Sequence, residues 1–416
     1  MRTPPKDKEG RPIPVPAIQV APSTEYITQK REYELITPMF GGGVEPGIAD
    51  PVTVVRATEI RGHLRFWWRA TRGGTPAFNG QLELMKQAED QLWGAASSEG
   101  KPSPSSVQLQ VNTTFRGRRF VARNHRNEEV DVYALASPFG YVAFPLRDRR
   151  QPVMEGIKFT LTIRYPRNES AEVEAALWAW ETFGGIGGRT RRGFGALKLI
   201  AVDNQQQSLP LATQLRVHLM RGIKTHIATG TLPADVPMLS SSEKSFVCTT
   251  TCRDAVEAWK YLITKLKDFR QQRNPGKQGN RPGRSRWPEP DAIRRLTNRK
   301  APVHQQRITS TDIFPRAEFG LPIVFKFKDD LQGDPNVTTL EGAVEGEKRL
   351  ASPLILRPLA CANNQAVPSQ VRDELAPNCD VQFNHPGQCA LADDHVIEHN
   401  TLRHRFSVPV DICGEH

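Results

Sequence analysis

At 416 residues the chain is longer than one ordinary core accommodates, so two domains, or one with large insertions, are expected. Its 56 Lys and Arg exceed 45 Asp and Glu, and the net charge of +11 points to a polyanionic partner, nucleic acid before others. No run of about twenty apolar residues occurs and the first sixteen residues, MRTPPKDKEGRPIPVP, lack the apolar stretch of a secretion signal, so a soluble, cytoplasmic protein without membrane contact is expected.

Residues 1 to 24 are Pro-rich and polar and read as a flexible arm. Order is expected from Tyr26, with a strand over Glu34–Phe40 that stops at Gly41, Gly42 and Gly43 and opens a loop to Val55. Thr58 is placed to cap a helix running to Arg72, and a second helix covers Gly80–Trp93. Val107–Phe115 and Phe120–Val132 alternate as a hairpin whose tip carries Arg116, Arg118 and Arg119. Gly156–Tyr165 alternates as a strand, Ser170–Phe183 is an amphipathic helix, and Phe194–Val202 is another strand. Strand, helix, strands, helix, strand is the order of a ferredoxin-like unit in an α+β protein.

The polar run Asp203–Ser208 is the expected boundary between a first domain, 25–202, and a second, 203–416. In the second, Leu215–Leu219 reads as a strand, Asp254–Phe269 as a helix and Leu321–Lys328 as a strand, a weaker copy of the first order. Between Lys265 and Lys300 twelve Lys or Arg face three acidic residues among Pro and Gly, which reads as an exposed flexible loop or an RNA contact.

The segment TFGGIGGRTRRGFGAL, Thr182–Leu197, concentrates the chemistry. It holds Gly184, Gly185, Gly187, Gly188, Gly193 and Gly195 beside Arg189, Thr190, Arg191 and Arg192. Glycine lets backbone N–H groups approach an anion, and arginine adds planar, two-pronged donation to phosphate. Phe194 stands where a Walker loop needs lysine, and Thr190 where a dinucleotide fingerprint needs its third glycine, so polymeric phosphate is the better ligand. A helix C-cap accounts for one or two of the glycines but not for six. No Ser/His/Asp elbow, kinase motif set or HExxH occurs, and no cofactor is expected.

ITPMFGGG (Ile36–Gly43), ATEIRGHLRFWWRA (Ala57–Ala70) and FGGIGGRTRRGFG (Phe183–Gly195) together resemble the RAMP superfamily of CRISPR effector proteins. Within it they are most similar to the first-subunit family of the type III-B (Cmr) complex. SRWPEPDAIRRL, RAEFGLPIVFKFK and RLASPLILRPL extend the resemblance through the second half. It implies two ferredoxin-like domains related to RNA-recognition folds, and a scaffold role beside guide RNA (crRNA), target RNA and the other RAMP subunits. By resemblance the subunit sits near the guide's 3′ end and is not the usual cleaving subunit.

Single residues then acquire expectations. Arg61, Arg65, Arg69 and Arg72 share one helix face, a phosphate-facing stripe or a solvated surface, with His63 as a weaker phosphate donor. Leu64, Trp67 and Trp68 are expected in the core. Asp50, in GIADPV, resembles the loop aspartate of RNA-cleaving RAMP subunits, although an Asp-Pro turn is the plainer reading. Cys361, Cys379, His385, Cys389, His395, His399, His404 and Cys413 lack zinc-knuckle spacing, so no metal is assigned, and the six cysteines are read as reduced thiols.

Overall fold

The structure, a computed structural model, describes residues 25–43, 48, 50, 52–98, 101–147, 152–233, 236–239, 246–248, 250–275, 282–307, 314–342, 349–372 and 381–384. The Pro-rich arm and every cysteine and histidine named beyond Cys361 lie outside them. No helix among the described residues is long and apolar enough to cross a membrane.

The first half is built from β1 (Tyr26–Leu35), α1 (Ala57–Arg72), α2 (Leu82–Trp93), β2 (Gln108–Phe115), β3 (Lys158–Pro166), α3 (Ser170–Phe183), β4 (Leu197–Val202) and the short β5 (Gln205–Gln206). Its antiparallel sheet has the order β5-β4-β1-β3-β2. Alternation decides which face is covered: Phe159, Leu161, Ile163 and Tyr165 are buried while Lys158, Thr160, Thr162 and Arg164 between them are not. The buried face packs under α1 and α3 through Leu64, Trp67, Trp68, Val173, Leu177 and Trp180, so the three α1 residues assigned to the core are there.

Several boundaries move. The first strand begins at Tyr26 and ends at Leu35, leaving Met39 and Phe40 to isolated bridges with Met154 and Gly188. α1 begins at Ala57 after an extended Arg56, so Thr58 lies inside the helix and caps nothing. The hairpin between Val107–Phe115 and Phe120–Val132 does not form. β2 pairs with β3 instead, because Ile157–Tyr165 offers a longer apolar alternation, and Arg118–Arg119 pairs with Met154–Glu155.

In the second half Leu215–His226 is a helix, α4, where a strand was expected from Leu215–Leu219. Leu215, Leu219 and Ile223 recur at a spacing of four and bury against the first core. β6 (Phe246–Val247), α5 (Ala255–Arg270), β7 (Leu354–Ala360) and β8 (Ala366–Arg372) form a helix and a sheet of order β6-β8-β7. Asp254 caps α5 by accepting the Glu257 N–H. The basic run is not one loop among its described residues. It includes the end of α5, paired strands at Arg273–Pro275 and Pro282–Ser285, and α6 (Glu289–Leu296). Cys252 and Cys361 are free thiols as expected, whereas Cys248 is disulfide-bonded.

Candidate nucleic-acid interface

The glycine segment leaves α3 at Phe183 and folds back beneath the end of β1. Ile186 N–H donates to the Gly195 carbonyl, Gly188 N–H to Phe40, and Gly195 N–H to Pro38. Thr37 Oγ1 donates to the Gly193 carbonyl at 2.7 Å and accepts the Ala196 N–H at 2.8 Å. The backbone strands lie too close for side chains: a Cβ at Gly187 would stand 2.7 Å from the Phe40 carbonyl oxygen, and one at Gly193 would stand 2.6 Å from the Trp259 ring. Most of the loop's glycines therefore serve packing, and Gly184, Gly185 and Gly193 are buried. The expected open cradle narrows to Gly187 and Gly188, half-buried beside the first glycine loop. There Gly187 N–H donates to Glu59 Oε1 at 2.6 Å, and a Cβ at Gly42 would lie 3.6 Å from the Gly187 Cα.

The loop arginines turn inward. Arg191 Nη1 donates to the Ser352 carbonyl at 2.7 Å, and Arg192 donates to Leu354 and Phe319 carbonyls at 3.1 and 3.3 Å. Burial, reinforced by the charge of Arg270, pushes the Arg192 guanidinium down to about 9. Arg189 holds a left-handed backbone, φ 55°, donates to the Val142 carbonyl, and lies over the Phe144 ring at 5.1 Å. Arg357, on β7, reaches the other way. It donates to Gly184, Glu181 and Leu197 carbonyls while Trp259 Nε1 donates to the Arg192 carbonyl. A lone arginine inside LILRPL was its sequence signal, and no role had been attached to it.

The α1 stripe is largely a seam to its neighbours. Arg65 Nε and Arg69 Nη1 both meet Glu89 Oε1, at 2.6 and 2.5 Å, and Glu89 is 2% exposed. Arg72 pairs with Glu172, and Arg61 Nη1 donates to the Trp93 carbonyl. His63 Nε2 stands 3.6 Å from Glu59 Oε1. Gly62, which carried no expectation, sits exposed in the helix interior, and a Cβ there would meet nothing within 4 Å among the described residues.

In the first glycine loop Gly41 and Gly42 take φ of 63° and 102°, and the Gly43 carbonyl accepts Arg56 Nη2 at 3.1 Å. Asp50 Oδ1 accepts the Val52 and Thr53 N–H groups, both at 2.8 Å, which makes the residue a turn former. Those two bonds hold its carboxyl below the usual carboxylate range. Arg116, Arg118 and Arg119 are exposed. Arg118 pairs with Glu155 at 2.9 Å and Arg119 with Asp131 at 2.6 Å. His304, Asp329 and Asp334 cluster, but both Asp334 oxygens already accept from Arg294, which leaves little donor capacity for a cation.

The RAMP superfamily pattern matches residues 32–198, the span that carries the three motifs. The chain is 24% identical over 168 residues to CRISPR system Cmr subunit Cmr1-1 of Pyrococcus furiosus, a match covering 38% of this chain and 45% of that protein. It is 24% identical over 184 residues to Cmr1-2 of the same organism, covering 40% of this chain and 92% of the relative. The chain thus spans less than half the length of the first of these relatives. Among solved structures, the apo crystal structure of Cmr1 from Pyrococcus furiosus aligns with 89% of this chain and 92% of its own, at 16% identity and a TM-score of 0.49. A type III-B Cmr-beta complex bound to cognate target RNA, solved by cryo-EM, contributes a chain that aligns with 86% of this one and 94% of its own, at 14% identity and a TM-score of 0.46.

Proposed function

We propose that this chain is a non-catalytic, RNA-binding scaffold subunit of a type III-B CRISPR ribonucleoprotein. In this reading it touches the guide RNA near its 3′ end and the target RNA, and docks against other Cmr-complex RAMP subunits. The sheet order β4-β1-β3-β2 with α1 and α3 on one face supports a first ferredoxin-like domain, and β6-α5-β7-β8 supplies the first elements of a second.

Gly62 carries the proposal. Glycine in a helix interior costs roughly 0.5–1 kcal/mol against alanine, and nothing among the described residues needs the missing Cβ. What needs it is a partner that lays its backbone on α1. Arg61 and His63 flank the position, and Glu59, one turn earlier, joins α1 to Gly187 and through it to Gly42. Phosphate and sugar contacts of this kind hold RNA of any sequence, as a changing guide requires. Of the arginines expected at RNA, Arg116, Arg118 and Arg119 are the most exposed. Arg65, Arg69, Arg191 and Arg192 act in this reading mainly by shaping the wall.

The test separates folding from binding. Gly62→Ala should raise thermal stability slightly and weaken binding of the full chain to fluorescent single-stranded RNA severalfold, at any sequence. Unchanged affinity in the stabilised variant would sink the proposal.

A further inference from the structure

The sheet has a second face, opposite α1 and α3, where exposed polar side chains line up in rows. Register places Thr28, Arg164 and Gln108 in one row, Lys30, Thr162 and Gln110 in the next, and Glu32, Thr160 and Asn112 in a third. Thr28, Lys30, Gln108, Gln110 and Asn112 are exposed. Successive rows lie roughly 7 Å apart, a spacing that an extended nucleotide chain can follow. At one end the Arg164 guanidinium stacks on Tyr26, 4.0 Å from the ring centroid. Beside that pair an open pocket of about 530 Å³ is lined by Glu25, Tyr26, Pro166, Arg167 and Asn168. At the other end Phe115, paired with Lys158, is 48% exposed and leads directly into Arg116–Arg119.

We propose that this face is a second RNA-binding surface, along which single-stranded RNA runs from the Arg116–Arg119 segment past Phe115 to the Arg164–Tyr26 stack. The inference rests on the RNA-binding reading above and adds a separate surface to it. Three features select RNA over a protein partner. Lys30, Lys158, Arg164 and Lys198 outnumber Glu32 and Glu34, and Lys30–Glu32 and Lys158–Glu34 are ion pairs at 3.1 and 3.7 Å, leaving the excess positive. The central rows are hydroxyl and amide groups with the Lys30–Glu32 ion pair, without the apolar centre of a stable protein interface. Planar groups stand at both ends, where bases stack on aromatic rings and on guanidinium planes.

The experiment uses the full chain and a fluorescein-labelled oligouridylate carrying 4-thiouridine. Tyr26→Ala and Arg164→Gln should each weaken binding on the order of 10-fold, the loss of one stacked base. Gln110→Glu, at an exposed mid-strand position that leaves packing untouched, should weaken it by charge alone. Crosslinks should map to peptides containing Tyr26 or Phe115. Normal affinity in all three variants, with crosslinks confined to peptides of α1, overturns this surface and leaves the proposed function standing. Failure of the wild-type chain to bind RNA overturns both. Variants that bind RNA normally but no longer join their complex assign the face to a protein neighbour, which also overturns the proposal.

Discussion

Arg192 and Arg357 cross between the two halves of the chain in opposite directions, each ending on main-chain carbonyls of the other half. Neither has a carboxylate among the partners described here, and Arg357 is 1% exposed. Its burial pushes the guanidinium down to about 9, which leaves it charged near neutral pH, and two of its three acceptors, Glu181 and Gly184, lie at the C-terminus of α3, where a cation is favoured. Arg357→Met keeps the bulk and takes the arginine's donors from two buried carbonyls and a partly buried one. Its unfolding free energy should fall by about 2–4 kcal/mol in denaturant titration. A loss below about 0.5 kcal/mol would mean that water replaces the arginine at no cost.

Gly195 takes φ +60°, and a Cβ on it would stand 1.9 Å from the Ile186 carbonyl oxygen. Gly195→Ala should therefore cost about 3 kcal/mol or more, because both the conformation and the space are wrong for a side chain. Thermal melting compared with Gly62→Ala, where the space is open, gives opposite signs for the same chemical change.

Glu89 is the shared acceptor of Arg65 and Arg69 between α1 and α2. The two arginines keep 26% and 30% of their side chains exposed, so solvent screens part of the interaction. Glu89→Gln should lower stability by roughly 1–2 kcal/mol, less than a fully buried pair would. Loss in the variant should shrink only in part in moderate salt, because the carboxylate is 2% exposed, and a loss abolished by salt would contradict the buried geometry.

Asp334 predicts a pH dependence. Desolvation raises its carboxyl, but hydrogen bonds from Arg294, the Ala301 N–H and His304 outweigh that and hold it at about 2, against 3.8 ordinarily. A carboxyl whose folded value lies below its unfolded one contributes fully above pH about 4 and loses that contribution as pH falls toward 2. Melting temperatures of wild type and Asp334→Asn should differ most at pH 5–7 and converge near pH 2. A gap of constant size would remove the carboxylate from the account.

Asp50 is fixed by two backbone N–H groups, and their hold on its negative form makes it a poorer proton acceptor at neutral pH than a poised general base. The full chain with single-stranded RNA and magnesium should leave the RNA intact, and Asp50→Ala should behave identically. Cleavage by wild type that vanishes in the variant would make this aspartate catalytic.

Strong periodicity made the first half readable. Tyr165, Ile163, Leu161 and Phe159 alternate, and Leu64, Trp67 and Trp68 mark one helix face, so elements and core followed from local pattern. Pairing partners did not. β2 joins β3 across more than forty residues of chain, and nothing local to Phe120–Val132 announces that it will be bypassed. Leu215–Leu219 misled because a short apolar repeat fits both a strand and a buried helix turn. In the glycine-rich loop, the glycine and arginine pattern did not reveal the direction of the side chains. Whether Arg192 meets phosphate or the Leu354 carbonyl depends on a strand 162 residues away.

That distance has a temporal side. The ribosome adds roughly 5–20 residues per second, so the acceptors of Arg191 and Arg192, 161 and 162 residues downstream, emerge on the order of 10–30 s after the loop itself. Until then the loop lacks Trp259, Ser352 and Leu354, and Arg191 and Arg192 lack those carbonyl acceptors. The glycine-arginine loop, made early in the chain, is therefore among the last segments to be finished during synthesis.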